Sequence, residues 1–136
     1  MKNKFLLLFP LIALVLSACS SGQTSPAGEW ELIAYGDAKD PASALPNVNT
    51  SINFDENGEF HGNVGCNVLR GTYEINEDQV TIKQIVSTRK YCRDIAEQEN
   101  GVLGILSDAV LHFQMDGDQL TLTSVDEMSI VVMKRK

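Results

Sequence analysis

The sequence predicts a mainly β domain of the α+β class, with short antiparallel strands and one helix. Two observations carry this. From Gly28 onward the chain falls into short alternating apolar segments punctuated by Gly, Asn and Asp. One stretch, Asp94 to Ser107, instead sets Ile95, Val102, Leu103 and Leu106 at helical spacing.

The chain opens MKNKFLLLFPLIALVLSAC. Lys2 and Lys4 form a basic n-region, and Phe5 to Leu16 form an apolar run within the range of a secretory h-region, too short to span a bilayer of ~30 Å comfortably. The run ends in Leu16-Ser17-Ala18-Cys19, which resembles a bacterial lipobox. That likeness implies cleavage before Cys19 and acylation of its thiol and amino group, so residues 1–18 are read as a removed leader. Several acyl chains on one cysteine give the anchoring that one chain cannot. Residues 19–27 continue as CSSGQTSPA, a small, polar, flexible tether whose eight residues after Cys19 reach ~25 Å when extended. The expected location is a membrane-anchored, extracytoplasmic one: the periplasmic face in a diderm, with Ser20 leaning toward the outer membrane, or the cell surface in a monoderm.

Loss of Lys2 and Lys4 leaves nine basic residues against eighteen acidic ones, a formal charge of about −9. Without a basic surplus for phosphate, nucleic-acid partners are not expected. Attachment to membrane is expected through the lipid, because anionic headgroups repel an acidic domain.

The domain is read as residues 28–134. Gly28 to Tyr35 alternates, with Trp30, Leu32 and Ala34 on one face. Asp37 to Asn49, with Pro41, Pro46 and Asn47, reads as a long loop. Ser51 to Phe54 and Glu59 to His61 flank the hairpin turn Asp55-Glu56-Asn57-Gly58. Thr72 to Ile75 and Val80 to Ile85 form a second pair turning at Asn76-Glu77-Asp78. Ala109 to Met115, Gln119 to Thr123 and Met128 to Met133 make a meander with turns at Asp116-Gly117-Asp118 and Val125-Asp126-Glu127. The helix over 94–107 opens on Asp94-Ile95-Ala96-Glu97, the pattern of a capping box. Gly101 and Gly104 weaken it by ~1 kcal/mol each, which suggests close backbone approach to the sheet.

The inventory for chemistry is thin, so no enzyme, metal site or cofactor is expected. His61 and His112 both fall in strands, and a Cys66–His61 pair has no defined geometry. Zinc through His61, Cys66, Cys92 and His112 matches no close ligand spacing. Glu97, Glu99, Asp116 and Asp118 read as turn residues and solvated charge, and Asp55 to Glu59 lacks the ligand schedule of a calcium loop. Outside the cytoplasm, with Cys19 acylated, Cys66 and Cys92 remain as a pair, and a disulfide is favoured over two buried thiols. It would close a loop of ~27 residues, worth roughly 3–3.5 kcal/mol on the chain-entropy model.

Gly28-x-Trp30-x-Leu32, Phe54, Gly62-x-x-Gly65-Cys66-Asn67-x-x-x-Gly71-x-Tyr73, Thr88-x-x-x-Cys92 and Leu120-x-Leu122 occur in that order. This series resembles the META domain, the family that includes HslJ-like bacterial heat-shock lipoproteins. Val64 departs from the small residue often found before the Gly-Cys pair. The resemblance implies a single strongly curved antiparallel sheet, a half-barrel of about seven or eight strands with one helix packed against it. It also implies a non-enzymatic envelope protein linked to heat or envelope stress. Gly62, Gly65 and Gly71 are then bends, bulges or positive-φ positions, Asn67 a backbone-bonding residue, and Trp30 and Tyr73 core. The expected function is a monomeric binding or structural module whose partner is an envelope protein or peptide. The alternative is a lipocalin-like carrier of a small apolar ligand, suggested by Gly28-x-Trp30 and the meander. Some 107 residues are short, however, for an eight-stranded barrel with an open cavity.

Overall fold

The computed structural model describes residues 25–136. The leader, Cys19 and most of the tether lie outside the described residues. In chain order the elements are β1 (Gly28–Asp37), β2 (Ala42–Ser43), β3 (Ser51–Phe54), β4 (Glu59–Asn63), β5 (Val68–Asn76) and β6 (Gln79–Ser87). Then follow α1 (Ala96–Leu106), β7 (Val110–Asp116), β8 (Gln119–Ser124) and β9 (Ser129–Arg135). All strand pairs are antiparallel, in the order β2-β1-β3-β4-β5-β6-β7-β8-β9. β1 also pairs with β9, from Trp30↔Arg135 to Asp37↔Ser129. The expected curved sheet is therefore present, and its curvature continues past a half-barrel to closure: eight strands form the barrel and the two-residue β2 hangs beside β1.

The hairpins follow their turn residues. At the first, the Asp55 side chain accepts from Asn57 N at 2.9 Å, and Gly58 sits at φ 83°. β5 begins at Val68 rather than Thr72, and a bulge lies between Arg70 and Thr72, where β6 carries an extra residue. A second bulge, between Leu32 and Ala34 of β1, corrects the simple alternation expected there. Trp30 and Leu32 point inward, but Tyr35 rather than Ala34 packs on the core. Gly62 marks a close approach of β3 and β4: a Cβ there would stand 2.0 Å from the Ser51 carbonyl oxygen.

The barrel interior is packed with side chains. Trp30, Ile52, Phe54, Phe60, Leu69, Ile82, Leu120, Leu122 and Met133 are buried from every direction of the sheet. Phe54 meets Phe60 and Tyr73 edge-on at 5.3 and 5.1 Å between ring centres. Trp30 donates its indole N–H to Pro26 O at 2.8 Å, and the Arg135 guanidinium lies 4.2 Å over its ring. The Tyr73 hydroxyl donates to the Asp55 carbonyl. These groups gather at the barrel end where β1 starts.

The opposite end receives α1. Its expected capping box is not formed: the N-cap is Ile95, without a side-chain cap bond, and Asp94 and Glu97 are exposed. The Cys92 carbonyl accepts from Ile95 N and Ala96 N instead, at 3.0 and 2.9 Å. A loop carbonyl thus takes over the role that Asp94 would have had. Val102 and Leu106 enter the core, and Gly101 lets the helix reach the Tyr35 ring, where a Cβ would come within 2.6 Å. The expected close approach is therefore real at Gly101, whereas Gly104 faces open space.

Candidate functional site: a stapled polar joint

The motif residues converge where the β4–β5 loop, the loop after β6 and α1 meet. Cys66 and Cys92 form a disulfide with Cα atoms 6.3 Å apart. That separation is ordinary for a bridge. Gly65 precedes it at φ 148°, with no room for a Cβ: one would stand 2.2 Å from Ile95 Cγ2.

Asn67 is the hub of the joint. Its Nδ2 donates to Lys90 O at 3.0 Å and to Glu99 Oε2 at 2.8 Å. Its Oδ1 accepts from Thr88 Oγ1 and from Lys90 N, both at 2.8 Å. Thr88 Oγ1 also accepts from Val68 N at 3.1 Å, so the threonine ties β5 to the chain leaving β6. Asn67 and Thr88, twenty-one residues apart, thus act as one unit with the staple.

Glu99 corrects the expectation of a solvated carboxylate. It is 5% exposed, and its Oε1 accepts from the successive backbone amides of Cys66 and Asn67, at 3.1 and 2.5 Å. Two adjacent N–H groups aimed at one oxygen form a small anion cradle, filled here by the protein's own carboxylate. Gln98 beside it is fully buried, donating to Val64 O at 2.7 Å and accepting from Leu45 N at 2.7 Å. Neither residue was singled out from the sequence as part of a site. A signal was present: both lie on the helical arc of Val102 and Leu106, where polar groups need partners.

The groups considered for catalysis or metal binding do not join this site. Cys66 has no thiol for His61 to activate, and His61 lies exposed on β4. His112 pairs instead with Asp78 at 3.1 Å. Among the described residues no three His, Cys, Asp or Glu side chains converge as a metal site. Gly28 and Leu32 belong to β1, Gly71 to the β5–β6 bulge and Tyr73 to the core, so those motif residues hold the barrel rather than the joint. Burial raises the Tyr73 hydroxyl above its usual range, helped by the charges of Asp55 and Glu56, and burial followed by Glu97 does the same to Tyr35.

Fold and joint together define a small closed antiparallel barrel capped by a disulfide-stapled helical connection. The sequence matches the META domain over residues 23–136, and the chain belongs to that family. No curated protein matches the chain. Among solved structures it resembles a protein from Burkholderia xenovorans determined by NMR, with a TM-score of 0.62 and 19% identity over 80% of this chain and 81% of that one. It also resembles a DUF4847 family protein from Bacteroides vulgatus, with a TM-score of 0.61 and 15% identity over 81% of this chain and 93% of that one. These likenesses concern the fold.

Proposed function

We propose that the protein is a non-enzymatic, lipid-anchored envelope module that holds a protein partner on its outer surface in tolerance of envelope or heat stress. The observation that carries this reading is the use made of the motif residues. Cys66, Asn67, Thr88 and Cys92 spend their polar and sulfur chemistry on one another and on Glu99, which leaves rigidity as their product. A rigid frame suits recognition, since pre-ordered groups lose less entropy on binding. Membership of the META family, whose members have no established catalytic residues, supports the same reading.

The carrier alternative needs apolar space inside the barrel. Trp30, Phe54, Phe60, Leu120 and Met133 occupy that space, and the clefts at Glu59–His61 with Arg70–Thr72 and at Glu56–Gly58 lie on the outside. The module reading is therefore preferred. Its test is crosslinking in intact cells, with fractionation of the Cys19→Ala chain alongside. Specific envelope partners and release of Cys19→Ala from membranes are expected. Membrane retention of that variant would remove the lipid anchor from the proposal, and the absence of any crosslinked partner would remove the module.

A further inference from the structure

We infer that the segment Thr88–Arg93 and the adjoining outer face of β5 and β6 dock an acidic, extended segment of a partner protein. The inference rests on the module reading and names the chemistry of its partner. The chain is acidic overall, with a formal net charge of −7, yet Arg70, Arg89, Lys90 and Arg93 collect in this region and are all exposed. None of the four enters a salt bridge among the described residues. Asp94 is the one carboxylate in the stretch 88–94. Such an island of free positive charge on a negative protein selects carboxylates and turns away copies of its own acidic surface.

Apolar contact area lies within the same island. Tyr91 is 80% exposed, Val86 65% and Val68 50%. Val86 stands opposite Arg70 across the β5–β6 ladder, and Thr88 N bonds to Val68 O, so the two valines and Arg70 share one patch of sheet beside the loop that carries Arg89, Lys90 and Arg93. An exposed tyrosine between basic residues is the kind of anchor that dominates small interfaces.

The backbone adds a third element. β6 pairs with β7 only from Gln79 to Thr81, and Asp108 covers the Gln84 amide at 3.1 Å. From Ile85 to Ser87, β6 has β5 on one side and no strand on the other among the described residues. An open edge close to exposed apolar and basic side chains suits strand addition, in which main-chain bonds supply affinity and side chains supply choice. The polar joint presents this surface already ordered, since Asn67 grips both the N–H and C=O of Lys90 and the disulfide holds Cys92.

Position favours protein over lipid as the acidic partner. The patch lies at the end of the barrel where β6 finishes, whereas the chain enters from the tether at the other end, through Gly28. The attachment point and the patch therefore lie at opposite ends of the domain.

The test uses the full lipidated chain in detergent micelles and two labelled ten-residue peptides, one alternating Val and Glu, the other Val and Lys, followed by fluorescence anisotropy. The Glu peptide should bind, about tenfold more weakly when salt rises from about 50 to about 200 mM, and the Lys peptide should not. The variant Arg89→Glu/Lys90→Glu/Arg93→Glu should lose about tenfold or more in affinity while melting at the parent temperature. Val86→Asp should weaken binding in the same direction. Equal binding of both peptides, no binding of the Glu peptide, or full binding by the charge-reversed chain would each overturn the inference. Vesicles of phosphatidylglycerol that bind the parent chain's patch in place of the peptide would assign it to lipid and overturn it as well. Should the charge-reversed chain keep its partners in intact-cell crosslinking, this surface is wrong and the module reading survives. Absence of partners for the parent chain removes both.

Discussion

The two ends of the barrel are closed by different physics. Where β1 begins, aromatic rings and tight hairpins do the work: Trp30 under Arg135, Phe54 against Phe60 and Tyr73, and turns at Asp55–Gly58 and Asp116–Asp118. Where α1 lies, a disulfide joins residues 26 apart in sequence, and buried polar bonds join residues 32 to 34 apart, Cys66 and Asn67 to Glu99 and Val64 to Gln98. Apolar closure is tolerant of detail and owes most of its strength to area removed from water. Polar closure is unforgiving, because each buried partner left alone costs its full desolvation. The end that is expensive to satisfy is also the one that fixes a loop in place.

The largest expected effect tests the apolar end. Trp30→Ala should destabilise the domain by about 3–5 kcal/mol in chemical denaturation, uniformly across the barrel by hydrogen exchange. A loss under about 1 kcal/mol would mean that the indole is not a keystone.

Next comes the staple. Cys66→Ala/Cys92→Ala should cost about 3 kcal/mol, with exchange protection lost first at residues 88–95 and only later in β7–β9. Uniform loss would erase the distinction between the ends.

Glu99→Gln keeps the shape but sets an amide where two backbone donors and Asn67 Nδ2 now meet a carboxylate. We expect a loss of about 1–3 kcal/mol, read as a lower midpoint in urea with an unchanged slope. A neutral result would show that the cradle does not need the carboxylate.

The smallest effect should come from Tyr73→Phe, about 0.5–1.5 kcal/mol from the hydroxyl's bond to Asp55 O. Because burial raises the folded-state hydroxyl above the unfolded value, its stabilisation is complete below pH ~10 and is lost as pH climbs through the raised value. The variant should therefore lose less stability than the parent chain between neutral pH and about pH 11 in thermal melts. Identical alkaline profiles would argue that the hydroxyl is already wet.

Legibility from the sequence divides along the same line. The hairpins at Asp55–Gly58, Asn76–Asp78 and Asp116–Asp118 were readable because turn chemistry is local. Cys66, Cys92, Asn67 and Thr88 were readable as motif positions, but their mutual bonds were not, since twenty-one residues separate Asn67 from its threonine. Glu99 was misread because a helical carboxylate is ordinarily solvated, and nothing near it in sequence announces the amides it meets. The β1 bulge was missed for a related reason: Ile33 is the extra residue left unpaired where Leu32 and Ala34 meet Met133 and Val132 of β9, about a hundred residues away. Closure itself depends on the same pairing, so a curved sheet could be expected while a complete barrel could not.

The β1–β9 seam bears on when the domain can exist at all. Trp30 finds Arg135 only after every intervening strand has been supplied, so the closing step belongs to the last strand described. Chains dominated by such distant pairings fold slowly. Under the export proposed above, slowness of this kind is useful. Until β9 is available the chain stays an open thread, the form that the proposed export needs, and it becomes a closed body only once Trp30 meets Arg135.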